Sequence, residues 1–66
     1  MEVRINVKRK GNQRARFYAY YENEEEAYKR AEKIPQEIPV EEIEMLAIVS
    51  YYGKNRTRKE HILIQK

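Results

Sequence analysis

Val3, Ile5 and Val7 alternate with Arg4, Asn6 and Lys8 at the start of this chain, and no other feature constrains its fold as tightly. A period of two places the apolar set on one side of an extended backbone and the polar set on the other, the pattern of a half-buried strand. Lys10, Gly11, Asn12 and Gln13 then read as a turn, because Gly and Asn tolerate positive φ. Residues 14–21 alternate again, which assigns Ala15, Phe17, Ala19 and Tyr21 to one face and Arg14, Arg16, Tyr18 and Tyr20 to the other. Together the two runs predict a β-hairpin.

Asn23 followed by Glu24, Glu25 and Glu26 predicts a helix start. The Asn side chain can accept from a free backbone N–H, and the carboxylates sit at the positive end of the helix dipole. Ala27, Tyr28, Ala31 and Ile34 recur at helical spacing as one apolar stripe, with Lys29, Arg30 and Lys33 toward the far end. Pro35 is expected to stop the helix, since it lacks an N–H and biases its predecessor out of the α region. PQEIPVEE reads as a connection, residues 43–52 as a strand, 53–57 as a turn and 58–65 as a returning strand with Ile62 and Ile64 opposite His61 and Leu63. The expected fold is α+β, in the order ββαββ: one four-stranded, mostly antiparallel sheet with a single helix packed on one face. One helix covers one face, so the other is open to solvent, to a ligand or to a second copy of the chain.

A single domain of 66 residues buries only about 60% of the surface its unfolded chain exposes, so its core is marginal. Small domains compensate with disulfides, metals, oligomerisation or very regular packing. With no cysteine and one histidine, the last two remain. The absence of cysteine fits a reducing cytoplasm. No apolar run approaches the roughly 18–20 residues that span a bilayer, and MEVRINVKRK reads as a charged strand rather than a signal segment. The expectation is a soluble, cytoplasmic and complete chain. All acids are Glu, and Ser50 and Thr57 are the only residues of their kinds. A Lys/Glu-rich chain poor in labile residues fits a thermophilic source, which a melting temperature below about 60 °C would contradict.

The modest net charge of +3 conceals a strong asymmetry. Residues 1–20 carry plus five, residues 21–50 minus six and residues 51–66 plus four. Two basic hairpins therefore flank an acidic helix and linker, and if their tips lie side by side they form one positive surface. Cations attract phosphates and phenol rings stack on bases, the combination that single-strand binders use; a basic strand pair can also enter a duplex groove. This assigns phosphate contact to Arg4, Lys8, Arg14, Arg16, Lys54, Arg56, Arg58 and Lys59, and stacking to Tyr18, Tyr20 and Tyr52. The plainer alternative is solvated strand residues whose charges prevent edge pairing.

Few features point to an enzyme. Glu24, Glu25 and Glu26 are consecutive on a helix and point about 100° apart, so they do not converge on one ion and read as helix-capping residues. His61 has neither Cys nor Asp to form a metal or proton-relay set with, and Ser50 has no histidine near it in sequence. Gly11 and Gly53 are the only glycines, so no phosphate-cradling glycine loop exists. No catalytic residue, cofactor or metal is expected. The strand over residues 43–52 is apolar on both parities, as in a strand buried twice. A two-fold homodimer would supply the second cover, and a helical turn at 40–46 would remove the need for one.

The stretch RARFYAYYENEEEAYKRAEKI resembles the strand-to-helix junction of AP2-type and integrase arm-binding domains, small sheets that read DNA through basic strands. Those domains place three strands before the helix and none after it, whereas two are expected to follow here, so no site residue is carried over. The leading expectation is a nucleic-acid-binding protein of low sequence specificity, with DNA slightly favoured over RNA. Its rival is a protein-interaction module, an accessory subunit or inhibitor docking on a larger nucleic-acid-processing machine.

Overall fold

The computed structural model describes residues 1–66 and gives the order β1 (Glu2–Arg9), β2 (Arg16–Tyr21), α1 (Glu24–Glu37), a 3-10 turn (Val40–Glu42), β3 (Ile43–Tyr52) and β4 (Thr57–Gln65). The strands form one four-stranded sheet in the order β2-β1-β3-β4, with every neighbouring pair antiparallel. The α+β, ββαββ expectation therefore holds. Two strands precede the helix and two follow it, so the arrangement departs from the three-strand DNA-reading sheets that the junction resembles.

Helix α1 lies against β1, β2 and β3. Its inward stripe of Ala27, Ala31 and Ile34, with Ile38 just beyond, packs on Val3, Ile5, Val7, Ile43, Leu46 and Ile48 in one cluster of ten buried residues. The two alanines let the helix axis approach the sheet closely, while the branched side chains fill the gap. At its start the Glu26 N–H donates to Asn23 Oδ1 at 2.8 Å, as the capping pattern implies. Pro35 does not stop the helix. The helix runs two residues further, and the Ile38 N–H donates to the Ile34 carbonyl at 2.8 Å. A proline in the final turn forfeits one hydrogen bond, and the packing of Ile34 and Ile38 on both sides of it outweighs that loss.

Three irregularities change which side chains share a face. In the β1–β2 ladder Ile5 pairs with Ala19 but Asn6 pairs with Phe17, so Tyr18 is an extra residue on the edge strand. A second bulge skips Leu63 in β4, and a third skips Glu44 in β3. Because each extra residue reverses parity beyond it, Phe17 leaves the helix-covered face. Likewise Ile62 and Ile64, expected together, lie on opposite faces: Ile62 pairs with Ala47, whereas Ile64 pairs with Leu46 and packs on the core.

On the face away from the helix, Ala47 and Val49 are fully buried without any covering layer. Their cross-strand neighbours are Asn6 and Ile62 for Ala47 and Arg4 and Glu60 for Val49. Longer side chains close over shorter ones, so the doubly apolar strand is buried twice within one chain. The turn at residues 40–42 leaves the parity of β3 from Met45 onward as expected.

A candidate nucleic-acid interface on the open sheet face

Register places Glu2, Arg4, Asn6 and Lys8 of β1 on the open face, with Phe17 and Tyr20 of β2, Met45, Ala47, Val49 and Tyr51 of β3, and Arg58, Glu60 and Ile62 of β4. Phe17 and Tyr20 are more than half exposed. The Arg4 guanidinium lies between two rings, 5.7 Å from the centroid of Phe17 and 5.3 Å from that of Tyr51. Arg56, from the β3–β4 turn, sits 4.7 Å from the same Tyr51 ring. The result is a ladder across the sheet, Phe17, Arg4, Tyr51 and Arg56, in which ring quadrupoles and guanidinium charges hold one another in place.

Glu2 ties the ladder together. Its Oε1 accepts from Arg56 at 2.8 Å and its Oε2 from Arg4 at 2.5 Å, with the Glu2 side chain only 18% exposed. The Arg56 hydrogen bond, reinforced by Arg4, holds the Glu2 carboxyl below its usual range even though partial burial opposes the shift. Arg56 is also the one non-glycine residue with positive φ, at 51°. A side chain with a Cβ is disfavoured there, so the turn accepts backbone strain to aim this guanidinium. Glu2, Tyr20, Tyr51, Gly53, Lys54 and Arg56 line a shallow depression of about 500 Å³.

The sequence expectation of one shared basic surface requires correction. Since β1 and β3 are antiparallel neighbours, the turn after β1 and the turn after β3 lie at opposite ends of the sheet. About 27 Å of strand, eight residues at ~3.4 Å each, separates them. Arg14 and Arg16 therefore stand at the end away from Lys54 and Arg56. Arg16 pairs with Val7 and Lys59 with Ser50, which puts both on the helix side. Four of the eight expected phosphate contacts are ion-paired: Arg4 and Arg56 to Glu2, Lys8 to Glu44 and Arg58 to Glu60. Arg14, Arg16, Lys54 and Lys59 have no such partner.

The tyrosines divide in the same way. Tyr20 lies on the open face as expected, but the bulge turns Tyr18 toward the helix. There its hydroxyl donates to Glu37 at 2.8 Å and Arg30 covers its ring at 5.5 Å. The Glu37 carboxylate raises the Tyr18 pKa, because ionising the phenol would place two anions together. Tyr52 is likewise on the helix side, paired with Thr57, and the neighbouring Glu24 carboxylate raises its pKa. Tyr51 and Phe17 replace them on the open face. The alternation of residues 45, 47, 49 and 51 against 46, 48, 50 and 52 separates Tyr51 from Tyr52, and pairing with β1 decides which of them faces the helix, whereas an unpaired residue at Tyr18 leaves no signal.

Ser50 and His61 also face the helix side but have separate partners. Ser50 Oγ donates to Glu24 at 3.1 Å, and His61 Nδ1 meets the Tyr28 hydroxyl. No cluster of three or more His, Asp or Glu side chains is placed to hold a metal ion, and no helix is long and apolar enough to cross a membrane. Neither protein-family models, nor curated proteins, nor solved structures yield a match to this chain.

Proposed function

We propose that the open sheet face binds single-stranded nucleic acid with little base specificity. The observation that carries this reading is the ladder around Tyr51: a ring with guanidinium groups 5.3 and 4.7 Å from its centroid, beside the exposed rings of Phe17 and Tyr20. Bases stack on rings of this kind, and the accompanying cations follow the backbone. Tyr20, Tyr51 and Phe17 are the stacking residues of this reading. Arg4, Arg56, Arg58, Lys54 and Lys8 contact phosphate, and Arg14, in the turn after β1, extends the track toward the far end. Asn6 and Gln65 are the two strand amides on the face, so few groups are available to read base edges. The acidic helix lies on the opposite face and orients the protein by repelling phosphate.

Fluorescence anisotropy of labelled single-stranded DNA, RNA of the same sequence and duplex DNA, each at two salt concentrations, tests the reading. Preferred binding of the single strands, weakening steeply as salt rises, is expected. Preference for the duplex would replace stacking by groove entry, and no binding at low salt would refute the reading.

A protein-contact reading has its own support in the exposed apolar side chains Phe17 and Ile62, 57% and 39% exposed, at the two ends of a cross-strand row with Asn6 and Ala47 between them. A second copy of the chain or a larger protein fits such a row. Sedimentation of the free protein at micromolar concentration separates the two, with a monomer expected if the face is reserved for nucleic acid.

A further inference from the structure

We propose that the Arg4–Arg56 pair is a phosphodiester-binding clamp and that the Glu2 carboxylate is its internal, displaceable occupant. The inference rests on the nucleic-acid reading for the identity of the ligand, but its geometry stands independently.

A carboxylate bridging two guanidiniums through its two oxygens is the arrangement that the two non-bridging oxygens of a phosphodiester reproduce. Both anions carry one negative charge, so exchange leaves the charge of the clamp unchanged. With Glu2 in place the two arginines still exceed their acid by one charge. Lys54, with no acid partner of its own, adds another at the rim of the same depression. The clamp is also held open for exchange. Tyr51 fixes both guanidiniums against its ring, so their positions do not depend on Glu2 alone. The positive φ of Arg56 is a local cost that an ordinary surface ion pair does not repay. Glu2 is the first residue of β1, and the contacts of both guanidiniums with the Tyr51 ring remain when its carboxylate leaves.

On this view Glu2 weakens nucleic-acid binding, because it must be expelled and then remains as an anion near the incoming phosphate. Removing its charge therefore strengthens binding, whereas a purely structural tie predicts the reverse.

Glu2→Gln is titrated with oligothymidylate, followed by anisotropy, and with inorganic phosphate, followed by the Nε–Hε resonances of Arg4 and Arg56. Oligothymidylate affinity is expected to rise on the order of three- to tenfold, the scale of one partly exposed ion pair. Phosphate is expected to shift both arginine resonances at lower concentration than in the wild type. Unchanged or weaker binding of both probes by a folded Glu2→Gln protein would overturn the clamp. Should that variant not fold, the wild type is decisive through the side-chain carboxyl carbon resonance of Glu2, which must move as phosphate saturates the protein. A resonance that stays fixed overturns the proposal. Phosphate binding at the clamp without oligonucleotide binding would uphold the clamp and refute the nucleic-acid reading. Oligonucleotide binding with Glu2 undisturbed would do the opposite.

Discussion

At Arg56 a strained backbone and a directed side chain coincide. The left-handed conformation costs an L-residue about 1 kcal/mol or more, whereas glycine adopts it freely. Arg56→Gly and Arg56→Ala remove the same guanidinium but differ in that cost. Urea unfolding is expected to show the Gly variant more stable than the Ala variant by about 1 kcal/mol. Both should lose nucleic-acid affinity to the same degree. An Ala variant as stable as the Gly variant would remove the strain from the account. The residue scale is also where the sequence is least legible. Phe17, Tyr18, Tyr51 and Tyr52 all have the right chemistry for stacking, but their faces depend on a bulge and on strand pairing. An unpaired residue such as Tyr18 looks in sequence like any other position of an alternating strand. Pairing of Leu46 and Ile48 with Val7 and Ile5 assigns Tyr52 to the helix side, and that pairing is a long-range contact no local pattern encodes.

Among the elements, the helix and the first strand are the most legible. Alternation in β1 and the Asn23 cap each follow from neighbours within four residues, and both are found as expected. The helix end differs because tertiary packing of Ile34 and Ile38 overrides the preference of Pro35. Ile34 is fully buried at the centre of that packing, so Ile34→Ala should cost about 2–5 kcal/mol by denaturant unfolding, enough to unfold a domain this small. A loss under 1 kcal/mol would mean that the helix does not seal the core. At the same end, Glu37 accepts two hydrogen bonds from Arg30, at 2.5 and 2.8 Å, and one from Tyr18, tying the helix to the edge strand. Those bonds hold the Glu37 carboxyl at about 2, against an ordinary value of 4.5. A depressed carboxylate pKa contributes stability above the unfolded value and loses it as pH falls through the folded one. Unfolding midpoints should thus decline between about pH 4.5 and 2, and the decline should be shallower in Glu37→Gln. An identical pH profile for the two proteins would contradict the tie.

For the whole molecule, the charge asymmetry along the sequence becomes an asymmetry between faces and between ends. The order of charges along the chain reveals the segregation of the acids into the helix and linker, but the placement of the two turns at opposite ends follows from strand order, which the charge pattern does not encode. On the proposed reading the two ends have different roles. Arg56→Glu with Arg58→Glu should weaken binding of single-stranded DNA more than Arg14→Glu with Arg16→Glu, because only the first pair borders the Tyr51 ladder. Equal losses from the two double variants would indicate a diffuse positive field rather than a site.

The central claim is that the face opposite the helix is the one that binds, and chemical-shift mapping with a short oligothymidylate tests it most directly. Saturating shifts in the ring signals of Phe17, Tyr20 and Tyr51, with the amides of Ala47 and Val49 beneath them, are predicted, while Tyr28, His61 and the helix stay unmoved. Shifts centred on the helix side, or none in the three rings, would contradict the account.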